Sequence, residues 1–262
     1  MKTLAFFEMH YYSEALRCRV VLNVLLPEIP KKDDGTGLPK NETYKTLYLF
    51  HGLSQDYSDW IRKSNIERYA EKHGIAVVMP SVGRSWYADT QYGENYFTFV
   101  TEELPAVCQS YFRNMSSRRE NNFVAGLSMG GYGAIKAALS CPEKFSACAS
   151  LSGSLDITRK GRDIDIPAWR AIFDFDLKSG DDLSGSEHDL FELARRIKAS
   201  GKEIPRIYLW CGTEDHLIEI NRSFRRELEK LGISHTYKES EGNHTWPWWD
   251  LHIRDALDFL LA

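Results

Sequence analysis

Short apolar runs that end at glycine or proline recur along the chain. Most are continuously apolar, which is typical of strands buried on both faces of a parallel sheet. A later run alternates between apolar and polar residues and predicts a strand at the sheet edge. The continuous runs lie at residues 18–27, 45–52, 74–80, 121–127, 145–153 and 205–212, and the alternating run lies at 233–240. We therefore expect a sheet of mostly parallel strands.

Helix-like stretches fill the intervals between these runs, at residues 59–73, 96–113, 129–140, 189–200, 218–231 and 248–261. Alternation of strands with helices indicates the α/β class, with helices on both faces of a central sheet. The early strands predict an antiparallel entry to that sheet. A chain of 262 residues is long enough for one large core, so we predict a single domain over residues 1–262.

One connection between predicted strands is unusually long. Residues 155–205 mix aromatic, acidic and glycine residues. Long connections in compact domains are usually functional or disordered. We predict an insertion that covers the mouth of the sheet and contains a short helix near 167–173. A surface excursion without a role is the alternative.

Composition narrows the classes of partner. The net charge is −4, from 33 basic and 37 acidic residues, and the basic run at 113–120 is typical of a solvated connection, so a nucleic-acid partner is not expected. No run reaches the roughly 18 apolar residues that span a bilayer, and the first residues lack the pattern of a signal peptide. Five scattered cysteines favour reduced thiols in the cytosol, and no metal-ligand spacing occurs.

The sequence G-x-S-x-G occurs once, at residues 126–130. An apolar strand precedes it and a run of good helix formers follows it, which is the strand–turn–helix setting of a nucleophile elbow. Taken alone, the same letters also fit an ordinary helix start. In this setting Ser128 is the candidate nucleophile, and the following helix directs backbone N–H groups toward it.

A serine nucleophile needs a histidine base and an orienting acid, in the chain order Ser, Asp or Glu, His. Asp215 follows a predicted strand and is the preferred acid, with Glu214 as the alternative. His244 lies in the loop after the next strand and is the preferred base. His216 is expected to point elsewhere.

An oxyanion hole needs two N–H donors, one after the nucleophile and one from an earlier strand-end loop. We assign these donors to Met129 and Leu53. His51 is expected to support the earlier loop rather than to catalyse.

Aromatic residues cluster near the candidate site in the sequence. Four of them are candidate substrate-binding residues, namely Trp86, Tyr87, Trp246 and Trp248. An aromatic wall suits a short acyl chain or a flat aromatic acid. Core and helix packing is the alternative for each residue. Trp249, Phe173 and Phe175 belong to the same aromatic set.

Four stretches together resemble a known family: "LYLFHGLSQDYSDWIRKSNIERYA", "VVMPSVGRSWYADTQYGENYFTFVTEELP", "FVAGLSMGGYGAIKAAL" and "WCGTEDHL". They are similar to the tributyrin esterases, within the esterase D group of α/β-hydrolases that includes S-formylglutathione hydrolases. The resemblance places the triad of that family on Ser128, Asp215 and His244, and its oxyanion amides on Leu53 and Met129. It implies an α/β-hydrolase fold and hydrolysis of short acyl esters through an acyl-enzyme, without a cofactor.

Several alternatives stay open at this point. Relatives of tributyrin esterases include feruloyl and cinnamoyl esterases that act on plant-wall esters, and carbohydrate deacetylation is a further candidate. S-formylglutathione hydrolases carry cysteine in "HGLTC", whereas this chain has "HGLSQ", which disfavours that role. An acyltransferase and a non-catalytic scaffold are the remaining classes. The expected partner is a small-molecule ester, and homo-oligomer formation is left open.

Overall fold

The computed structural model describes residues 3–28, 43–158, 166–173 and 183–262. The described residues contain eight strands. These are β1 (Leu4–Ser13), β2 (Cys18–Pro27), β3 (Thr46–Phe50), β4 (Ala76–Pro80), β5 (Asn122–Leu127), β6 (Ala147–Leu151), β7 (Arg206–Gly212) and β8 (His235–Ser240).

All eight strands form one sheet in the order β1-β2-β4-β3-β5-β6-β7-β8. Strand β2 pairs antiparallel with both β1 and β4, and the pairs from β4 through β8 are parallel. The mostly parallel sheet, its antiparallel N-terminal entry and the edge position of β8 are therefore confirmed. Because six strands run parallel, the segments that follow them emerge at the same edge.

Helices cover both faces of the sheet. They are α1 (Asp59–Lys63), α2 (Ile66–His73), α3 (Tyr96–Thr98), α4 (Leu104–Tyr111), α5 (Met129–Ser140), α6 (Ile166–Phe173), α7 (Leu190–Ser200), α8 (Ile218–Lys230) and α9 (Trp246–Leu261). A π-helical turn, Phe99–Glu103, joins α3 to α4, and a 3₁₀ turn, Arg119–Asn121, precedes β5.

Alternate side chains of the central strands enter two separate cores. In β5, Val124 packs with residues of α4, α5, α7 and α8, whereas Phe123 and Ala125 pack with residues of α1, α2 and α9. This alternation explains the continuously apolar runs, because both faces of each central strand are covered.

The predicted helix near 167–173 is present as α6, Ile166–Phe173. Parts of the predicted insertion, residues 159–165 and 174–182, lie outside the described residues. Its role as a cover over the mouth of the sheet, and the single-domain boundary, stay predictions.

Candidate active site

Ser128 lies in a sharp turn between β5 and α5. Its backbone has φ +53° and ψ −117°, outside the regions that L-residues normally occupy. A Cβ at Gly126 would lie 2.4 Å from the carbonyl of Gly130, and a Cβ at Gly130 would lie 2.5 Å from the carbonyl oxygen of Phe50. Only glycine allows such close backbone approach. The G-x-S-x-G pattern is thus required sterically by this strand–turn–helix.

Hydrogen bonds hold the backbone of Ser128 on both sides. Its N–H donates to the Leu151 carbonyl over 3.0 Å, and its carbonyl accepts from the N–H groups of Tyr132 and Ser154, each over 3.1 Å. These contacts stabilise an unfavourable φ at a position where the side chain is only half-buried.

Ser128, His244 and Asp215 are brought together in a hydrogen-bonded chain. The Ser128 Oγ lies 3.0 Å from His244 Nε2, and His244 Nδ1 lies 2.8 Å from Asp215 Oδ2. The first pair is separated by 116 residues and the second by 29. Glu214 is exposed, whereas Asp215 is buried, so the structure places the preferred acid beside the histidine.

The Asp215 carboxylate has further partners besides His244. The backbone N–H of Leu217 donates to its Oδ1 over 2.9 Å. Burial alone would raise the pKa of Asp215, but hydrogen bonds from His244, the Leu217 N–H and the Ser152 hydroxyl lower it below its usual value. The carboxylate is therefore held in its ionised form, which accepts the His244 Nδ1–H.

The loops that carry Asp215 and His244 lie in direct backbone contact. A Cβ at Gly212 would lie 2.1 Å from the Gly242 carbonyl oxygen, and that oxygen accepts from the Glu214 N–H over 2.9 Å. Gly242 has φ +148°, a conformation that L side chains rarely adopt. These two glycines allow the loop after β8 to rest on the loop after β7.

The two predicted oxyanion donors lie at the expected turns. Met129 is the first residue of α5, and Leu53 lies in the turn Gly52–Gln55 after β3, where Ser54 has φ +63°. Across residues 3–28, 43–158 and 183–262, neither of these two N–H groups has a backbone or side-chain acceptor. Leu53 is 38% exposed and Met129 is 0% exposed. The role of these two N–H groups as oxyanion donors stays a prediction.

His51 supports the turn that carries Leu53, as the sequence predicts. Its Nδ1 lies 2.8 Å from the Gly52 carbonyl oxygen, and its Nε2 accepts from the Val82 N–H over 3.0 Å. Both bonds require a neutral ring with its proton on Nδ1. Burial lowers the pKa of His51, which favours that neutral form.

Tyr87 lies beneath the same turn. Its hydroxyl donates to the His51 carbonyl over 2.9 Å, and its ring stacks on Phe50 at 4.6 Å between centroids. The residue is 0% exposed. This position leaves no Tyr87 surface for a substrate, so we correct its predicted binding role to support of the oxyanion turn.

Trp86 belongs to a buried aromatic group with Tyr132, Trp169 and Phe173. Its ring lies 5.9 Å from Tyr132 and 5.3 Å from Trp169, and Trp169 lies 4.6 Å from Phe173. The group joins α5 to α6 of the insertion. Phe175 lies outside the described residues.

Trp246 and Trp248 are half-buried at the start of α9. Trp246 packs edge-on against Trp60, and Trp248 lies over Gly242. For Trp86, Trp246 and Trp248, a substrate-binding role stays a prediction.

Trp249 and Ser152 form a support for the acid that the sequence does not reveal. The Trp249 ring lies perpendicular to that of His244 at 4.9 Å, and its Nε1–H donates to Ser152 Oγ over 3.1 Å. Ser152 follows β6 with φ +49° and hydrogen-bonds Asp215. A positive φ at a residue other than glycine, directly after a strand, cannot be recognised from the sequence.

The expectation that His216 points elsewhere is wrong. Its Nδ1 lies 3.5 Å from Asp215 Oδ1, and its ring lies 4.7 Å from that of His244. A residue that directly follows a turn acid can return toward the carboxylate, because the turn reverses the chain there.

A buried lysine connects α5 to its surroundings. Lys136 Nζ donates to the Tyr87 carbonyl over 3.2 Å and to His188 Nδ1 over 3.1 Å, and it lies 4.5 Å from the Phe97 ring centroid. Burial lowers the pKa of Lys136 to about 8. The contacts join the nucleophile helix to the Tyr87 turn and to the segment before α7.

The α/β-hydrolase class of serine hydrolases is defined by a parallel sheet with a serine at a strand–helix turn. A histidine and an acid, hydrogen-bonded to each other, lie at neighbouring strand ends, and this chain has all of these features. Residues 13–260 match the model of the family described as "Esterase: Putative esterase", and the chain belongs to that family.

Relatives extend over the whole chain. An acetyl esterase of Caldicellulosiruptor saccharolyticus is 32% identical over 263 residues, with 98% of each chain covered. The substrate-bound structure of fluorophosphonate-binding serine hydrolase F from Staphylococcus aureus is 31% identical, with 99% of each chain covered and a TM-score of 0.90. An S-formylglutathione hydrolase structure from the same organism is 32% identical, also with 99% of each chain covered, and has a TM-score of 0.87.

These findings establish the activity class. The chain is a serine carboxylesterase, that is, a carboxylic ester hydrolase. Among the helices of the described residues, none combines the length and apolar character needed to cross a bilayer.

Proposed function

We propose that this carboxylesterase hydrolyses short-chain acyl esters, of the acetyl and butyryl type, with Ser128 as nucleophile, His244 as general base and Asp215 as orienting acid. The hydrogen-bonded chain from Ser128 through His244 to Asp215 carries the proposal. The preference for a short acyl group is supported by the acetyl esterase relative, which is 32% identical over 98% of this chain.

In the acylation step, His244 Nε2 takes the Ser128 hydroxyl proton while Oγ attacks the ester carbonyl carbon. Asp215 holds the proton on His244 Nδ1 and stabilises the imidazolium that forms. The negative charge on the former carbonyl oxygen is met by the N–H groups of Leu53 and Met129. Loss of one such donor typically costs about 10²–10³-fold in kcat.

Collapse of this intermediate breaks the bond to the alcohol oxygen, which receives the proton from His244 Nε2. The acyl group is then bound to Ser128 Oγ as an ester. In the second step His244 takes a proton from water, the hydroxide oxygen attacks the acyl carbon, and Ser128 Oγ leaves with that proton. The products are the alcohol and the carboxylic acid.

A cytosolic location belongs to the same proposal. All five cysteines are free thiols and four of them are buried. Burial raises the pKa of Cys108 to about 12 and that of Cys141 to about 11, which keeps these two thiols protonated and inert. Such thiols suit a reducing compartment.

The test is the rate of hydrolysis of p-nitrophenyl acetate, butyrate and octanoate, of methyl ferulate and of S-formylglutathione. We expect the wild type to have its highest kcat/KM on the acetate or butyrate. Ser128→Ala should lose at least about 10⁴-fold in kcat. Preference for methyl ferulate or for the thioester would overturn the substrate class, and a fully active Ser128→Ala would overturn the site.

A further inference from the structure

We propose that Asp215, His216 and His244 form an inhibitory binding site for a divalent transition-metal cation such as Zn²⁺. Across the described residues this is the one group of three His, Cys, Asp or Glu side chains whose ligand atoms all lie within 4.8 Å of one another. Two imidazoles and a carboxylate are a ligand set that Zn²⁺ commonly takes.

The three ligand atoms already lie within 4.8 Å of one another, and side-chain adjustment must bring them to the spacing of a bound cation. Atoms that bind one tetrahedral Zn²⁺ lie about 3.3 Å apart, because each is about 2.0–2.2 Å from the metal. The His244 Nδ1 and Asp215 Oδ2 are 2.8 Å apart, and His216 Nδ1 is 3.5 Å from Asp215 Oδ1. The side chain of His216 is 68% exposed, so it can adjust without displacing the core.

A cation at this place would bind the Nδ1 side of the His244 ring, whereas Ser128 Oγ lies at Nε2. Asp215 is fully buried, whereas His216 lies at the surface beside it. His216 is therefore the outer ligand, and access is from the solvent side of the Asp215–His244 pair. The fourth position of the metal would be taken by water.

Binding at His244 Nδ1 would block catalysis through the tautomer of the ring. In the active arrangement Nδ1 carries the proton and Nε2 accepts from Ser128. When the metal takes the Nδ1 lone pair, the neutral ring carries its proton on Nε2. That nitrogen is then a donor and no longer accepts the Ser128 proton, so the esterase is inactive until the metal leaves.

Because this inhibition rests on the proposed function, metal binding is measured separately from activity. Zn²⁺ is titrated calorimetrically into Ser128→Ala, in which the three ligands are retained. The low-field NMR signal of the His244 Nδ1 proton is followed in the same samples. We expect one Zn²⁺ site, and its occupancy should remove that signal. When His216→Gln is added, the affinity for Zn²⁺ should fall tenfold or more, which is the loss typical when a group that supports a metal site is removed.

The matched control is His10→Gln, which removes an exposed histidine that also pairs with a carboxylate, Glu8, at 3.0 Å. We expect this variant to bind Zn²⁺ as the wild type does. In esterase assays Zn²⁺ should inhibit the wild type and His10→Gln at the same concentration, and chelation should restore activity. His216→Gln, normalised to its own metal-free rate, should require about tenfold more Zn²⁺.

Three results would each overturn the metal site. Calorimetry could detect no Zn²⁺ site in Ser128→Ala, the Nδ1 proton signal could persist at saturating Zn²⁺, or the affinity could be the same with and without His216. None of these results depends on the esterase reaction. Binding without inhibition of an active wild type would overturn the tautomer mechanism, while a wild type without esterase activity would overturn the proposed function alone.

Discussion

The nucleophile side of the site and its acid–base side are built in different ways. The turn around Ser128 lies within a few consecutive residues and depends on glycines whose backbones touch. The acid–base side joins the ends of β6, β7 and β8 with the start of α9 through side-chain hydrogen bonds. Close glycine contacts occur on both sides, at Gly126 and Gly130 around the serine and at Gly212 beside the acid. Only the acid–base side adds side-chain hydrogen bonds between distant segments, so substitutions of those side chains should reduce activity more than stability.

The largest effect is expected when the acid is neutralised. Asp215→Asn keeps the shape of the side chain but removes the charge that stabilises the His244 imidazolium, and kcat should fall by about 10³–10⁴-fold. Glu214→Gln changes the exposed neighbour and should keep the wild-type kcat within about twofold. Steady-state kinetics on p-nitrophenyl acetate measure both variants, and equal losses in the two would contradict the assignment of Asp215.

At the glycines of the nucleophile turn the expected loss is in stability. Gly130→Ala places a Cβ 2.5 Å from the Phe50 carbonyl oxygen, so strand and helix must separate. The free energy of unfolding should drop by about 3 kcal/mol or more.

The control is Gly93→Ala, at a glycine with φ +84° and nothing within 4 Å of the added Cβ. Only the backbone conformation is penalised there, at about 1–2 kcal/mol. Urea unfolding followed by circular dichroism compares the two variants. A Gly130→Ala loss no larger than the control would show that the close approach at the turn is not needed.

A smaller loss of kcat is expected when the contact between Trp249 and Ser152, which supports Asp215, is removed. Trp249→Phe retains an aromatic ring against His244 but removes the N–H that donates to Ser152 over 3.1 Å. Loss of one such hydrogen bond is worth about 1 kcal/mol, or about fivefold in kcat.

Ser152→Ala should give a similar loss, with KM unchanged in both variants. If the two residues act through one chain of hydrogen bonds, the double variant should lose little more than either single one. Fully additive losses would contradict a shared route to Asp215.

Much of this site was predictable from the sequence, because its residues either lie within one short motif or follow a fixed order along the chain. The glycines around Ser128 lie within one motif, and the order of Asp215 and His244 along the chain follows from strand ends that meet at one edge. Ser152 was not predictable, since no motif marks it and its contact with the Trp249 indole depends on a backbone φ of +49° after β6. Tyr87 was assigned wrongly, because the sequence does not distinguish an aromatic residue that contacts a substrate from one that packs beneath a turn.

The smallest effect is expected at β8, the edge strand that leads to His244. Hydrogen bonds from Arg222, at 2.8 and 2.7 Å, and from Tyr237 lower the pKa of Glu239 to about 2. The unfolded value is about 4.3. The stabilisation is therefore fully present above pH about 4.3 and is lost as pH falls through about 2.

Glu239→Gln should lower the free energy of unfolding at pH 7 by about 1 kcal/mol, since the pair is partly exposed to solvent. At pH 2 about half of the Glu239 carboxyls are protonated in the folded protein, so the difference should be clearly smaller than at pH 7. Exposed Glu241→Gln is the control and should match the wild type at both pH values, as followed by chemical denaturation. A Glu239→Gln difference that persists unchanged at pH 2 would show that its origin is not the charge.

The central claim is that His244 and Asp215 activate Ser128 as the single nucleophile. The most direct measurement is the rate and position of labelling by a fluorophosphonate, read by intact-protein mass and peptide mapping. The wild type should gain one adduct, on the peptide that contains Ser128. Ser128→Ala should gain none, and His244→Ala should react at least about 10³-fold more slowly. An adduct on another residue, or a His244→Ala rate equal to that of the wild type, would contradict the account.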